Sequence, residues 1–391
     1  MEVRSLLKVM VDREASDLYL TVDAPPIYRI HGATQPTDAP PFGNEQLEAL
    51  ALALMRGQQR GEFEEKMEMN LALFYKELGR FRVNIFRQRG NVGLVFRHIK
   101  ADIQTVEQLE LPPIIKDIAM TKRGLVLVVG ATGSGKSTSL AAMIDYRNTI
   151  HQGHIITVED PIEFVHQHKK SIITQREVGF DTLTFQNALK NTLRQAPDVI
   201  LIGEVRDTET MEAAITFAET GHLCIGTLHS NNANQAIERI MNFFPVERHA
   251  QIYLQLSLNL RAIISQRLIP SVDGKRVPAL EIMLDTPRIK DLIKKAEVDT
   301  LKEAMEQGID EGCQTFDHVL FQLYKANKIL LEQALINADS ANNLRLKIKL
   351  EGLKGDDAVN ALLDKQMGSQ GSDAFKIQGN ASGNVTPLRK R

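Results

Sequence analysis

The rhythm of hydrophobic and polar positions changes near residue 114. Upstream, apolar residues recur every three or four positions over residues 3 to 12 and 45 to 55, which predicts two amphipathic helices. Alternation by twos in "DLYLTV" and "PIYRIHG" predicts strands, and "NLALFYKELGRFRVNIFRQRGNVGLVFRHI" reads as three more, with turns near Gly79 and Gly90. The Pro-rich "TQPTDAPPFG" reads as a loop. Together these predict a small α+β domain over residues 1–100. Residues 101–113 fit a linker, because Pro112 and Pro113 stop a helix from running through.

Downstream, continuous apolar runs replace the alternation. "GLVLVVG", "HIITVED", "DVILIGEV" and "HLCIGTLHS" are separated by helical patterns at 136–150 and 207–220, and long helices are expected after them. Strands with no polar face must be buried on both sides, so the pattern predicts a parallel sheet covered by helices, an α/β core over residues 114–284. Residues 285–350 read as a helical C-terminal part. Residues 351–391 read as a mostly disordered tail, since "GSQGSDAFKIQGNASGNVTPLRKR" is rich in Gly, Ser and Asn.

Composition narrows the function classes. A net charge of −2 over 391 residues provides no global basic field, so nucleic acid is not an expected partner. Cys224 and Cys313 are the two cysteines; they cannot build a disulfide framework or a four-cysteine zinc site, and they suit a reducing cytosol. No apolar segment reaches the ~20 residues that span a bilayer. Direct membrane insertion is therefore not expected, and any membrane role would run through a partner.

The chemistry concentrates at the ends of the apolar runs. In "GATGSGKST" the residues Gly130, Ala131, Thr132, Gly133, Ser134, Gly135, Lys136, Ser137 and Thr138 complete a phosphate-binding loop between a strand and a helix. Backbone amides and the helix N-terminus would hold the phosphates of ATP, Lys136 would reach the β and γ phosphates, and Ser137 would ligate Mg2+. "DVILIGEVRD" ends in Glu204, placed to assist the metal. "ITVEDPIEF" groups Glu159, Asp160 and Glu163, any of which could orient an attacking water. His222 and His229 flank "LCIGTL" and could sense the γ-phosphate or merely cap the strand, whereas His151, His154, His166 and His168 read as surface residues.

The order "GATGSGKS", "ITVEDPIEF", "DVILIGEVRD", "GHLCIGTLHSNNA" resembles the Walker A, Asp box, Walker B and His box of secretion ATPases, and "RQAPDVIL" and "AIERIMNFFP" extend the likeness. The resemblance covers roughly residues 1 to 350. It implies a hexameric motor with a RecA-like P-loop ATPase core and a PAS-like N-terminal domain, serving type IV pili or type II secretion. It also implies that Glu163 polarises the lytic water and that Glu204 is the Walker B acid. "GRFRVNIF" resembles the segment that supplies arginines to a nucleotide site. Arg82 is the first choice, with Arg80 and Arg97 beside it and Arg194, Arg206 and Arg239 as further candidates.

The lack of a four-cysteine module and the short N-terminal region resemble the pilus retraction ATPases of the PilT/PilU family. "TPRIKDLIKKAEVDTLKEAMEQG" and the longer tail resemble the PilU kind. That implies an accessory to a PilT-like paralogue in pilus retraction and twitching motility. Such a protein would be cytoplasmic, held peripherally at the inner membrane by the pilus platform protein. The alternatives are the principal PilT-like motor and a nucleotide-gated scaffold with weak turnover.

Overall fold

The computed structural model describes residues 2–99 and 102–351; the expected disordered tail lies outside them, apart from Glu351. Among the described residues the chain forms two compact units. One comprises the residues up to Leu268 together with Pro278–Thr315; the other comprises Ile269–Val277 together with the residues from Phe316 on.

Within the first unit, the N-terminal residues build a six-stranded antiparallel sheet. Its elements are α1 (Val3–Asp12), β1 (Asp17–Leu20), β2 (Ile27–Ile30), β3 (Ala33–Pro36), α2 (Asn44–Leu54), α3 (Gly57–Lys66), β4 (Glu68–Tyr75), β5 (Gly79–Gln88) and β6 (Asn91–Ile99). The strand order is β3-β2-β1-β6-β5-β4. Period-two patterning puts Phe81, Val83 and Ile85 of β5 into the core with Leu7, Met10 and Leu47 of the covering helices. Arg80 and Arg82 point to the other face, and Arg82 stands opposite Arg97 in the β5–β6 register. Strand β3 corrects the expected loop at residues 34–43: Thr34, Gln35 and Pro36 are exposed but pair with β2 at the sheet edge. With no buried face, β3 has no apolar alternation to betray it.

The chain continues through α4 (Ile114–Ala119), β7 (Gly124–Val129), α5 (Lys136–Ile150), β8 (Gly153–Glu159), β9 (Ser171–Glu177), α6 (Phe185–Thr192), β10 (Val199–Ile202), α7 (Thr208–Glu219), β11 (Leu223–Leu228), α8 (Ala233–Met241), α9 (His249–Asn259), β12 (Leu260–Pro270) and β13 (Arg276–Leu284). These strands form one sheet in the order β13-β12-β7-β11-β10-β8-β9. From β12 across to β9 every pairing is parallel. Consecutive residues of β7 feed opposite cores. Leu125, Leu127 and Val129 pack with α6 to α9, and Val126 and Val128 pack with α4 and α5. Each such buried aliphatic side chain stabilises the fold by about 1.5–3 kcal/mol.

Strands β12 and β13 correct the expectation of long helices directly after residue 230. "LRAIISQRLIP" is a short apolar run whose periodicity does not separate strand from helix, and its pairing with β7 decides the matter. Beyond it, α10 (Pro287–Lys294) and α11 (Leu301–Gln307) pack on the α7 to α9 face. The second unit contains α12 (Phe316–Lys325), α13 (Leu331–Asn337) and α14 (Ala341–Leu350), which bury Phe316, Leu320, Phe321, Leu335, Leu344 and Ile348. No helix among the described residues is long and apolar enough to cross a membrane.

Candidate active site

Parallel pairing brings the carboxyl ends of β7, β8, β10, β11 and β12 to one edge, the end of such a sheet at which ligands bind. Val129 is opposite Leu228 on one side and Ser265 on the other, and Ile202 lies between Val158 and Gly226. The phosphate loop, the Glu159–Glu163 segment, Glu204 and His229 therefore all begin at this edge.

The loop from Gly130 to Gly135 uses three left-handed glycines, with φ of 153° at Gly130, 78° at Gly133 and 90° at Gly135. At Gly130 the need is also steric: a Cβ would sit 2.6 Å from the backbone oxygen of Gln266. Gln266 is itself buried, and its side chain accepts a 2.8 Å hydrogen bond from Ser139 on α5. Strand β12 thus backs the loop and the helix that follows it.

Lys136 opens α5 and folds under the loop. Its ammonium donates to the carbonyls of Gly130 at 2.7 Å and Ala131 at 3.0 Å. Burial lowers its pKa, and the charge of Glu204 opposes that shift. A cation among neutral carbonyls is an incomplete arrangement that an anion would complete. The Ser134 hydroxyl, also in the loop, is buried without a hydrogen-bond partner. Thr132 and Ser137 are open to solvent along the loop and first turn, and Thr138 is half-buried. Gly130, Ala131, His229, Ser230 and Arg239 line an open depression of about 300 Å3.

His229 and Glu204 belong to this group, with Nε2 of the histidine 3.7 Å from Oε1 of the glutamate. His222 does not. It lies at the opposite end of β11, where its carbonyl receives the Gly124 amide and its ring meets Thr220 and the Phe217 carbonyl. Its part is capping.

The three acids after β8 differ in environment. Glu159 is half-buried, and its Oε1 accepts from Thr157 at 2.6 Å and from Gln175 at 3.2 Å. Burial raises its pKa, which favours the neutral acid over a charged base. Asp160 is exposed, 3.8 Å from Arg206, which also lies over the Phe185 ring. Glu163 is exposed and within electrostatic reach of Arg97.

The candidate arginines separate likewise. Arg97 donates at 2.8 Å to buried Asp17, and Arg80 donates at 2.7 Å to buried Glu177. Arg82 acts on Glu177 electrostatically. Arg194 is exposed in the turn after α6, and Arg239 lies beside the phosphate loop. Two of the four histidines read as surface residues are built in. His154 bonds the Gln195 carbonyl and Thr174, both at 2.9 Å, and burial pulls the pKa of His166 down to about 4. Sequence reasoning missed Gln266, Glu177 and Glu281. Buried Glu281 on β13 accepts from the Ala233 amide, at the start of α8, and from Ser265. A polar residue inside an apolar run, as in "IISQRLI" and "ALEIML", was the available signal.

A family model described as "Type II/IV secretion system protein" matches residues 69–347. The chain belongs to this family of ATPases. Within it the chain falls in the PilT/PilU branch. It is 54% identical over 93% of its length to the type IV pilus ATPase PilU of Pseudomonas aeruginosa, covering 95% of that protein. It is 43% identical over 88% of its length to that organism's type IV pilus retraction ATPase PilT, covering all of it. Among solved structures, the pilus retraction motor PilT with bound ADP superposes with a TM-score of 0.82 at 42% identity, over 87% of this chain and 98% of that one. The expected α/β P-loop ATPase fold with an N-terminal domain is therefore borne out, as is the assignment to the PilT/PilU family.

Proposed function

We propose that this ATPase is a motor that drives or assists type IV pilus retraction, acting as a PilU-like accessory to a PilT-like paralogue. The observation that carries the nucleotide reading is the buried Lys136 ammonium, held among neutral carbonyls beneath a loop of left-handed glycines. The β and γ phosphates of ATP supply the missing anion. Higher identity to PilU than to PilT supports the accessory role.

In this reading Glu163 activates the lytic water, since half-buried Glu159 is pushed towards its neutral form and Asp160 faces Arg206. His229, beside Glu204, reports the γ-phosphate to the start of α8. No group of three or more His, Cys, Asp or Glu among the described residues could hold a metal ion. Mg2+ takes few protein ligands and completes its shell with phosphates and water. Ser137 and Glu204 are hard oxygen donors suited to it. When bound, Mg2+ would offset charge on the β and γ phosphates.

The working form is a homo-hexamer, cytoplasmic and attached to the inner membrane through the pilus platform protein. Arg82 completes the nucleotide site of a neighbouring subunit. The test is ATP turnover by the purified protein, alone and mixed with a PilT-like partner. Arg82→Ala should cut turnover with the hexamer intact, and mixing it with Lys136→Ala subunits should restore part of it. Turnover equal to wild type in Lys136→Ala would remove the nucleotide reading, and mixtures no more active than their components would place each site within one subunit.

A further inference from the structure

Glu177 ends β9 at the edge of the core sheet and is buried, although it carries a carboxylate. Three features hold it. Arg80, 97 residues earlier on the N-terminal sheet, donates from Nη2 to its Oε2 at 2.7 Å. The Ile162 amide, in the loop that presents Glu163, favours its charged carboxylate and so opposes the burial that raises its pKa. Its backbone is fixed by register with Glu159 and by the adjacent Val178 amide, which bonds the Glu159 carbonyl at 2.9 Å.

We propose that Glu177 is a positioning residue for hydrolysis, one carboxylate shared between the N-terminal sheet and the loop that carries Glu163. Arg80 then acts through Glu177 of its own chain, separately from the role given to Arg82. A buried carboxylate needs its cation, so movement of β5 away from the core would leave Glu177 uncompensated and loosen its hold on Ile162. Displacement of the 159–163 loop by even an ångström would misplace the lytic water, a change able to cost on the order of a hundredfold in rate. N-terminal domain position and hydrolytic competence are thereby linked. The inference rests on the assignment of Glu163 as the base.

The test is a double-mutant cycle on the full-length assembled protein, comparing Arg80→Gln, Glu177→Gln and their combination. Steady-state kinetics are read together with amide hydrogen exchange of residues 159–164. Each single change should lower kcat roughly tenfold, leave KM for Mg-ATP nearly unchanged and speed exchange at Ile162. The combination, which restores a neutral pair, should be no slower than the worse single variant. Arg80→Lys keeps the charge, and should recover part of kcat if Arg80→Gln folds poorly. Additive losses, or unchanged exchange in Glu177→Gln, would overturn the inference and return Arg80 to a direct role at a nucleotide. Full activity in Glu163→Gln would remove the base assignment alone, because exchange and the cycle judge the clamp independently.

Discussion

The phosphate loop and the acidic segment after β8 share one sheet edge but are made in different ways. The loop is written in nine consecutive residues whose glycine torsions and lysine position determine its shape, with one outside support from Gln266. The acidic segment takes its geometry from elsewhere: Gln175 and Glu177 on β9, and Arg80 on another sheet. One region binds by local backbone design. The other depends on long-range side-chain contacts, and so can respond to movement of distant parts.

The largest expected effect tests the local region. Lys136→Ala removes the cation beneath the loop and should reduce ATP turnover by at least about 10²-fold, the scale seen when one preorganised donor is lost. Filter binding of labelled ATP should fall with it. Next, Glu163→Gln keeps the shape and removes the proposed base. Turnover should drop by about 10²–10⁴-fold while Mg-ATP affinity, measured by fluorescence titration, stays near wild type. Equal loss of affinity would show that the acidic segment also binds, which would weaken the contrast.

Ser139→Ala probes the one distant support of the loop. It leaves the buried Gln266 oxygen without its donor and should destabilise the protein by about 1–3 kcal/mol, read as a lower Tm without nucleotide. The smallest effect concerns pH. His166 has a folded pKa near 4 against an ordinary 6.5, because burial disfavours its charge. Its contribution is complete above pH 6.5 and declines as pH falls towards 4, where the unfolded chain takes up the proton first. The loss amounts to at most about 3 kcal/mol by pH 4. His166→Gln should flatten the acid limb of a denaturation series between those values, and an unchanged slope would mean that the histidine is solvated.

The two regions were also unequally legible. "GLVLVVGATGSGKS" carries strand, turn chemistry and helix start within one window, so the phosphate loop could be read directly. Glu163 could not be separated from Glu159 and Asp160 by residue type. Burial sets Glu159 apart but leaves Asp160 and Glu163 both exposed, and it is the resemblance to secretion ATPases that favours Glu163. The contact of Arg80 with Glu177 was beyond reach, because the partner lies 97 positions away on a strand that the pattern did not single out. Strand β9 reads "SIITQRE", with Ile172 exposed and Ile173 buried, too short and mixed a signal to identify. Strands β12 and β13 were hidden by the opposite fault, an apolar run that suits helix and strand equally.

The contact between Gln266 and the phosphate loop also imposes an order in time on the growing chain. Ser139 and Gln266 are 127 residues apart. At about 5–20 residues per second the ribosome needs roughly 6–25 s to make that interval. Throughout it the nucleotide loop has emerged without the strand that backs Gly130 and braces α5. β7 likewise waits for β11 and β12, its neighbours on either side. The newborn core is thus an unfinished sheet in which a wholly buried strand has both edges open, a state in which chaperones have something to hold and premature nucleotide binding has little to grip.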